Sequence, residues 1–103
     1  MSSRRNQLLE LLKDSPADSE LLYFIAMESV GEGDDPRAEK EFRHLLEVDA
    51  GHVAAHLQLG QVLVRMGEED QARKVYAAGM VAAQKCGNQH AYSELAGFLE
   101  ALG

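Results

Sequence analysis

The fold is decided by residues 53–86, VAAHLQLGQVLVRMGEEDQARKVYAAGMVAAQKC, which repeat the pattern of residues 19–52 at an offset of 34. Small residues and aromatic residues keep the same places in both copies. The matched pairs are Gly33 and Gly67, Ala38 and Ala72, Phe42 and Tyr76, and Ile25-Ala26 and Leu59-Gly60. Small and large residues that recur together at one period indicate a repeated packing unit, and this period is typical of helical repeat arrays.

Composition and charge indicate one small domain with an acidic balance. The chain has 103 residues and a formal net charge of −7, from 17 acidic and 10 basic side chains. DNA, RNA and anionic membranes bind basic protein surfaces, so this balance argues against all three as partners. Cys86 is the only cysteine, which excludes an internal disulfide and favours the reducing cytoplasm. The sequence has neither an apolar signal core nor the ~20 consecutive apolar residues of a membrane span.

The spacing of apolar residues predicts six short helices and no strand. Ser15 is the predicted N-cap of the second helix and Asp49 that of the fourth. Residues Gly31 and Gly33 bracket the turn after the second helix, and Gly67 closes the fourth. The first helix covers about residues 4–13, the second ends near Val30, the third begins at Asp35-Pro36, the fifth covers about residues 69–85 and the sixth begins near Gln89.

Close packing of paired helices explains the small residues of the repeat. Two antiparallel helices approach closely only where small side chains face each other. We therefore expect Ala26 or Gly60 on the first helix of a pair to meet Ala38 or Ala72 on the second. Glycine is less favourable than alanine inside a helix by about 1 kcal/mol, so Gly60 at a matched position indicates a close contact.

The segment Leu57-Gln58-Leu59-Gly60, followed by Gly67, Ala72, Tyr76 and Gly79, resembles a tetratricopeptide repeat, and residues 19–52 resemble a weaker copy. The resemblance implies an all-α, right-handed α-solenoid of antiparallel helix pairs. It divides the single domain of residues 1–103 into a leading half-repeat at 4–15, repeats at 19–52 and 53–86, and a closing helix at 88–102. Met1 and the final Leu102-Gly103 suggest a complete, stand-alone small protein.

Three residues depart from the family pattern. His56 replaces a large apolar residue, Ser29 stands where an aromatic residue or leucine is usual, and Gln84 occupies a place where a turn proline is common. His90 lies 34 residues after His56, so the repeat assigns it the same structural role. These departures leave the repeat interpretation in place.

In this family the first helix of each pair lines a concave groove that receives a peptide or helix of a partner protein. The resemblance places eight residues there: Glu20, Tyr23, Met27, Val30, Leu57, Gln61, Val64 and Arg65. Ala54 and, from the closing helix, Ala91, Leu95 and Phe98 extend the set. One subclass clamps the terminal carboxylates of heat-shock chaperones with Lys, Arg and Asn, but here the matching places hold Tyr23, Met27, Leu57 and Gln61. The chain is therefore not expected to be a chaperone clamp.

Three functional hypotheses follow from these residues. The leading one is a non-catalytic adaptor or scaffold that binds a partner peptide or amphipathic helix in a mostly apolar groove. The second is a self-associating structural unit, a homodimer whose terminal helix is exchanged or whose groove another copy fills. In a further alternative, the closing helix covers the groove side chains internally.

An enzyme or metal protein is the third hypothesis. It would use His52, His56, His90 or Cys86, since His52 and His56 have the spacing that places two imidazoles on one helix face. The sequence offers no third ligand nearby, no activated-nucleophile context and no phosphate-binding glycine loop. We therefore expect no catalytic residue, no cofactor and no metal.

Overall fold

A computed structural model describes residues 3–103 and shows six α-helices over that range. Met1, which suggested a complete small protein, lies outside the described range. Each helix packs against the next along the chain, which gives the expected right-handed α-solenoid with extents of 39 × 29 × 19 Å. The helices are α1 (Ser3–Asp14), α2 (Ser19–Gly31), α3 (Asp35–Val48), α4 (Val53–Arg65), α5 (Glu69–Lys85) and α6 (Gln89–Ala101).

The predicted N-caps of α2 and α4 were wrong by three residues each. Asp18 caps α2, since its carboxylate accepts hydrogen bonds from the backbone N–H groups of Glu20 and Leu21 at 3.0 and 3.2 Å. His52 caps α4, where its Nδ1 accepts from the N–H of Ala55 at 3.1 Å. Ser15 and Asp49 instead open the preceding turns, because their carbonyl groups accept from the N–H groups of Asp18 and His52.

The close approach of α4 and α5 depends on Gly60 and Tyr76. A Cβ atom added at Gly60 would lie 2.2 Å from Cε1 of Tyr76, well inside van der Waals contact. The residues Ala26, Ala38 and Ala72 are buried as expected. However, the atoms nearest to Gly60 belong to the ring of Tyr76 and not to Ala72. The small residue therefore makes room for an aromatic ring within its own helix pair.

Gly60→Ala is expected to destabilise the protein by about 1–3 kcal/mol, because overpacking this contact outweighs the alanine propensity gain of about 1 kcal/mol. Urea denaturation followed by circular dichroism measures the change. Gly97→Ala is the matched control, since Gly97 lies inside α6 and a Cβ atom added there would have no neighbour within 4 Å. The control is expected to be neutral or stabilising. Equal effects of the two substitutions would contradict the packing role of Gly60.

Ser29 is buried and joins α1, α2 and α3 through a partly buried polar cluster. Its hydroxyl accepts hydrogen bonds from Nη1 of Arg5 and Nε of Arg37, both at 2.9 Å, and donates one to Glu41. Arg5 also forms an ion pair of 2.5 Å with Glu41. The hydrogen bond to Glu41 raises the pKa of the Arg5 guanidinium. Ser29 departs from the family pattern because this cluster replaces an apolar contact.

Glu41→Ala is expected to cost about 3 kcal/mol of unfolding free energy, because it leaves the largely buried Arg5 charge without its carboxylate. Thermal and chemical unfolding measure the loss. Glu10→Ala is the control, because it breaks an ion pair with Lys13 that is mostly exposed to water. An exposed pair contributes at most about 1 kcal/mol, so losses of similar size would argue against the cluster.

The last helix does not follow the 34-residue register. α5 has 17 residues against 14 in α3, and Asn88 caps α6 two residues later than the repeat predicts from His52. His90 is exposed whereas His56 is buried, so the prediction that His90 shares the role of His56 was wrong. His56 lies four residues after His52, the cap of α4. The residue that lies four positions after the cap of α6 is Tyr92 and not His90.

Candidate partner-binding groove

The first helices of the pairs, α2, α4 and α6, lie side by side and form a surface that we call the groove. Tyr23 of α2 stacks on the imidazole of His52 at the start of α4, with ring centroids 5.1 Å apart. Burial raises the pKa of the Tyr23 hydroxyl, and the nearby carboxylate of Glu20 adds to this effect. Two hollows open between α4 and α6. Tyr23 thus connects α2 to the start of α4, and the two hollows lie between α4 and α6.

Along α2 the predicted groove residues differ in exposure. Tyr23, Met27 and Val30 are half-buried and pack on the core while keeping part of their surface in water. Glu20 is fully on the exposed side of the first turn. Tyr23 also lies 6.1 Å from the ring of buried Phe42, between centroids. The α2 side of the groove is therefore apolar and packed on the core, with the exposed acidic residue Glu20 at its start.

The smaller of the two hollows, the Leu57 hollow, has a volume of about 210 Å³. Leu57 and Ala54 of α4 form one side, and Ala91 and Leu95 of α6 form the other. Glu94 stands at its edge. The closing helix thus supplies a wall of this hollow and leaves Leu57 half-buried.

The larger hollow, the Phe98 hollow, has a volume of about 420 Å³ and contains Gln61 and Val64 of α4. Phe98 stacks on the ring of Tyr76 with centroids 5.8 Å apart and remains 37% exposed. Leu102 completes the wall at the end of α6. Aromatic and aliphatic surface therefore dominates this part of the groove.

Arg65 lines the Phe98 hollow, but its charge has a partner within the protein. Its Nη2 and Nε atoms bind the carboxylate of Asp35 at 2.9 and 3.2 Å. This hydrogen bonding raises the pKa of the Arg65 guanidinium. Arg65 therefore connects α4 to the start of α3, and its guanidinium is occupied at the edge of the groove.

Sequence reasoning did not include Tyr76, Ala101 and Leu102 in the groove. Tyr76 was interpreted as a core residue, and it is both buried and part of the Phe98 hollow. Ala101 and Leu102 enter because α6 is set two residues later than the repeat. The turn signal Gly87-Asn88 was the one sequence feature that could have indicated this shift.

The histidines of α4 have structural partners. His52 Nδ1 accepts a hydrogen bond from a backbone N–H, while His56 Nδ1 lies 3.0 Å from the His52 carbonyl oxygen and donates to it. Exposed Cys86 approaches the carbonyl oxygen of Ala83 at 3.5 Å. Within residues 3–103, no group of three or more His, Cys, Asp or Glu side chains could hold a metal ion.

Burial lowers the pKa of the His56 imidazole below its ordinary value of 6.5. The unfolded chain therefore binds a proton that the folded protein resists, and unfolding free energy should fall as the pH drops from 6.5 towards the lower folded pKa. Urea denaturation midpoints measured at a series of pH values from 6.5 downwards test this fall in unfolding free energy. His56→Gln should flatten the pH dependence, while the exposed-site control His90→Gln should not. An unchanged slope in His56→Gln would contradict the assignment.

Comparisons with known proteins agree with the fold. A family model described as tetratricopeptide repeat matches residues 29–95. A TPR repeat-containing protein of Dictyostelium discoideum is 32% identical over 74 residues, which is 72% of this chain and 28% of that protein. The chain thus spans little more than a quarter of that relative. Family members and structural neighbours of this kind are typically non-catalytic repeat modules.

Solved structures of other proteins show the same fold. The solution structure of a tetratricopeptide repeat domain protein from Salinibacter ruber is 30% identical, with a TM-score of 0.80 over 85% of this chain and 89% of that one. The solution structure of a Bordetella parapertussis protein is 25% identical, with a TM-score of 0.83 over 99% and 89% of the two chains.

No helix among residues 3–103 has the length and apolar character needed to cross a membrane.

Proposed function

Because the chain belongs to the tetratricopeptide repeat family, whose repeats generally mediate protein–protein interactions, we propose that it is a non-catalytic adaptor that binds a partner helix in its groove. The observation that carries the proposal is the pair of open hollows between α4 and α6. They lie in line along the two helices, with the Leu57 hollow near the start of α6 and the Phe98 hollow near its end. An amphipathic helix that lies in an apolar groove uses such sites for its anchor side chains.

Charge at the groove supports a basic partner. The charged residues of α2 and α6 are all acidic, and α4 contributes only Arg65, which Asp35 already binds. Glu20, Glu94 and Glu100 have no ion-pair partner within 4.0 Å among residues 3–103. A partner helix with apolar anchors and basic flanks therefore matches both the hollows and their border.

Magnitudes indicate a modest affinity. Burying one large apolar side chain in each hollow contributes roughly 1.5–3 kcal/mol per anchor. Association costs an estimated ~4–15 kcal/mol in lost freedom, so two anchors need the flanking charges and the α2 wall to give measurable binding. The interaction we propose is thus reversible, in keeping with an adaptor.

A direct test uses a labelled, helix-forming peptide that carries two leucines and several lysines. Leu57→Arg with Gln61→Arg places two like charges in the groove and should weaken binding by about tenfold or more in fluorescence anisotropy. Val81→Arg with Gln84→Arg is the matched control, because both residues are exposed on α5. Circular dichroism verifies that each variant is folded. Equal affinities of wild type and groove variant would refute the groove assignment.

Self-association is the second candidate, and the terminal helices favour it. Leu11 of α1 is 57% exposed and Phe98 of α6 is 37% exposed, so both ends of the stack present apolar surface. Exchange of a terminal helix between two copies would cover that surface. Sedimentation equilibrium distinguishes the candidates, because a dimer requires a concentration-dependent mass, whereas the adaptor alone stays monomeric.

A further inference from the structure

The opposite side of the solenoid, which α1, α3 and α5 form and which we call the outer face, carries an apolar cleft between α3 and α5. The second outer cleft, as we name it, has a volume of about 490 Å³. Leu46, Leu59 and Val75 make it apolar, and the charged residues Arg43, Glu47 and Lys74 also line it. Its volume lies within the range of about 300–1,000 Å³ that is usual for ligand sites.

A cleft of the same construction recurs one repeat earlier, between α1 and α3. This first outer cleft has a volume of about 260 Å³. It is lined by the residues that stand 34 positions before those of the second cleft. The matching pairs are Leu12 and Leu46, Ile25 and Leu59, and Lys40 and Lys74. A surface feature that recurs with the repeat fits a ligand that itself repeats along its length.

The lysines of these two clefts are distinguished by their lack of partners. Every arginine of the chain and Lys13 form an ion pair within 4.0 Å. Among residues 3–103 the basic side chains without such a pair are Lys40, Lys74 and Lys85, and the first two occupy matching positions beside the two clefts. Each outer cleft therefore combines apolar surface with a lysine that forms no ion pair. An acidic residue also lines each cleft: Glu41 in the first, which binds Arg5, and Glu47 in the second.

The basic residues of the chain are concentrated on the outer face, where acidic residues nearly balance them. All lysines and arginines except Arg65 lie on α1, α3 and α5, and the same three helices carry eight Asp and Glu residues. At physiological salt the Debye length is about 8 Å, so a ligand on the outer face responds mainly to the lysines beside it and less to distant acidic residues.

We propose that the outer face binds an acidic amphipathic helix of a partner protein, with one apolar side chain in each outer cleft and carboxylates at Lys40 and Lys74. The two clefts lie on either side of α3, so about one helix diameter of roughly 10 Å separates them. A helix advances that distance in about seven residues. The partner helix therefore carries two large apolar residues about two turns apart, with Asp or Glu next to each.

The probe for this proposal is a fluorescein-labelled synthetic helix with two leucines about seven residues apart and glutamates beside each, compared with a peptide in which glutamines replace the glutamates. Binding is measured by anisotropy in buffers of increasing sodium chloride. The glutamate peptide should bind several-fold to about tenfold more tightly than the glutamine peptide, and salt should reduce the difference.

Two variants locate the site. Lys40→Glu with Lys74→Glu should weaken binding of the glutamate peptide by about tenfold or more, whereas the charge-matched control Lys13→Glu with Lys85→Glu should change it by less than about threefold. Ala78→Phe fills the second outer cleft without a change of charge and should also weaken binding. Circular dichroism and thermal unfolding verify that these exposed-site variants fold.

Several results would overturn the proposal. They are equal affinity for the two peptides, equal loss in the two lysine double variants, or no binding of the glutamate peptide up to about 1 mM. Concentration-dependent self-association that disappears in Lys40→Glu with Lys74→Glu, seen by sedimentation, would show that a second copy of the chain is the occupant. If the groove variant Leu57→Arg with Gln61→Arg binds the glutamate peptide as tightly as the wild type, the outer face and the groove are separate binding sites.

Discussion

The contact between Gly60 and the ring of Tyr76 is the constraint on which the rest of the structure depends. It lets α4 and α5 approach so closely that a single added carbon would lie 2.2 Å from the ring. Tyr76 then stacks on Phe98 and so sets the position of α6. Gly79 allows the same closeness on the other side, since a Cβ there would lie 2.7 Å from His56 and 3.1 Å from Leu95. Core packing of this kind places the walls of both hollows.

Polar residues at core positions of the repeat are compensated by polar partners. Ser29 exchanges apolar packing for hydrogen bonds with Arg5, Arg37 and Glu41, and the cluster joins three helices. His56 is tied to the carbonyl oxygen of His52, which itself caps α4. A hydrogen-bonded cluster of this kind favours one packing arrangement, because moving any member would leave its polar partners unsatisfied.

Periodicity predicted the helices, the pairing and most of the core, because the 34-residue repeat reports packing within one unit. It failed where the structure depends on turn geometry or on distant partners. Ser15 and Asp49 looked like caps because both precede a helix, yet the chain makes one more turn before Asp18 and His52. The longer α5 shifted α6, so His90 lost its correspondence to His56. The pairing of Arg65 with Asp35, 30 residues apart, could not be predicted, since it depends on which helices meet.

The same repeat gives the two faces different charge balances. Its first helices must pack against neighbours on both sides, so they are largely apolar, and the charges that α2 and α6 retain are acidic. Its second helices have an open side and carry nine of the ten basic residues, together with eight acidic ones. At physiological salt the Debye length is about 8 Å, so each charge acts mainly on its near neighbours. The choice of ligand on each face therefore depends on local residues more than on the net charge of the chain.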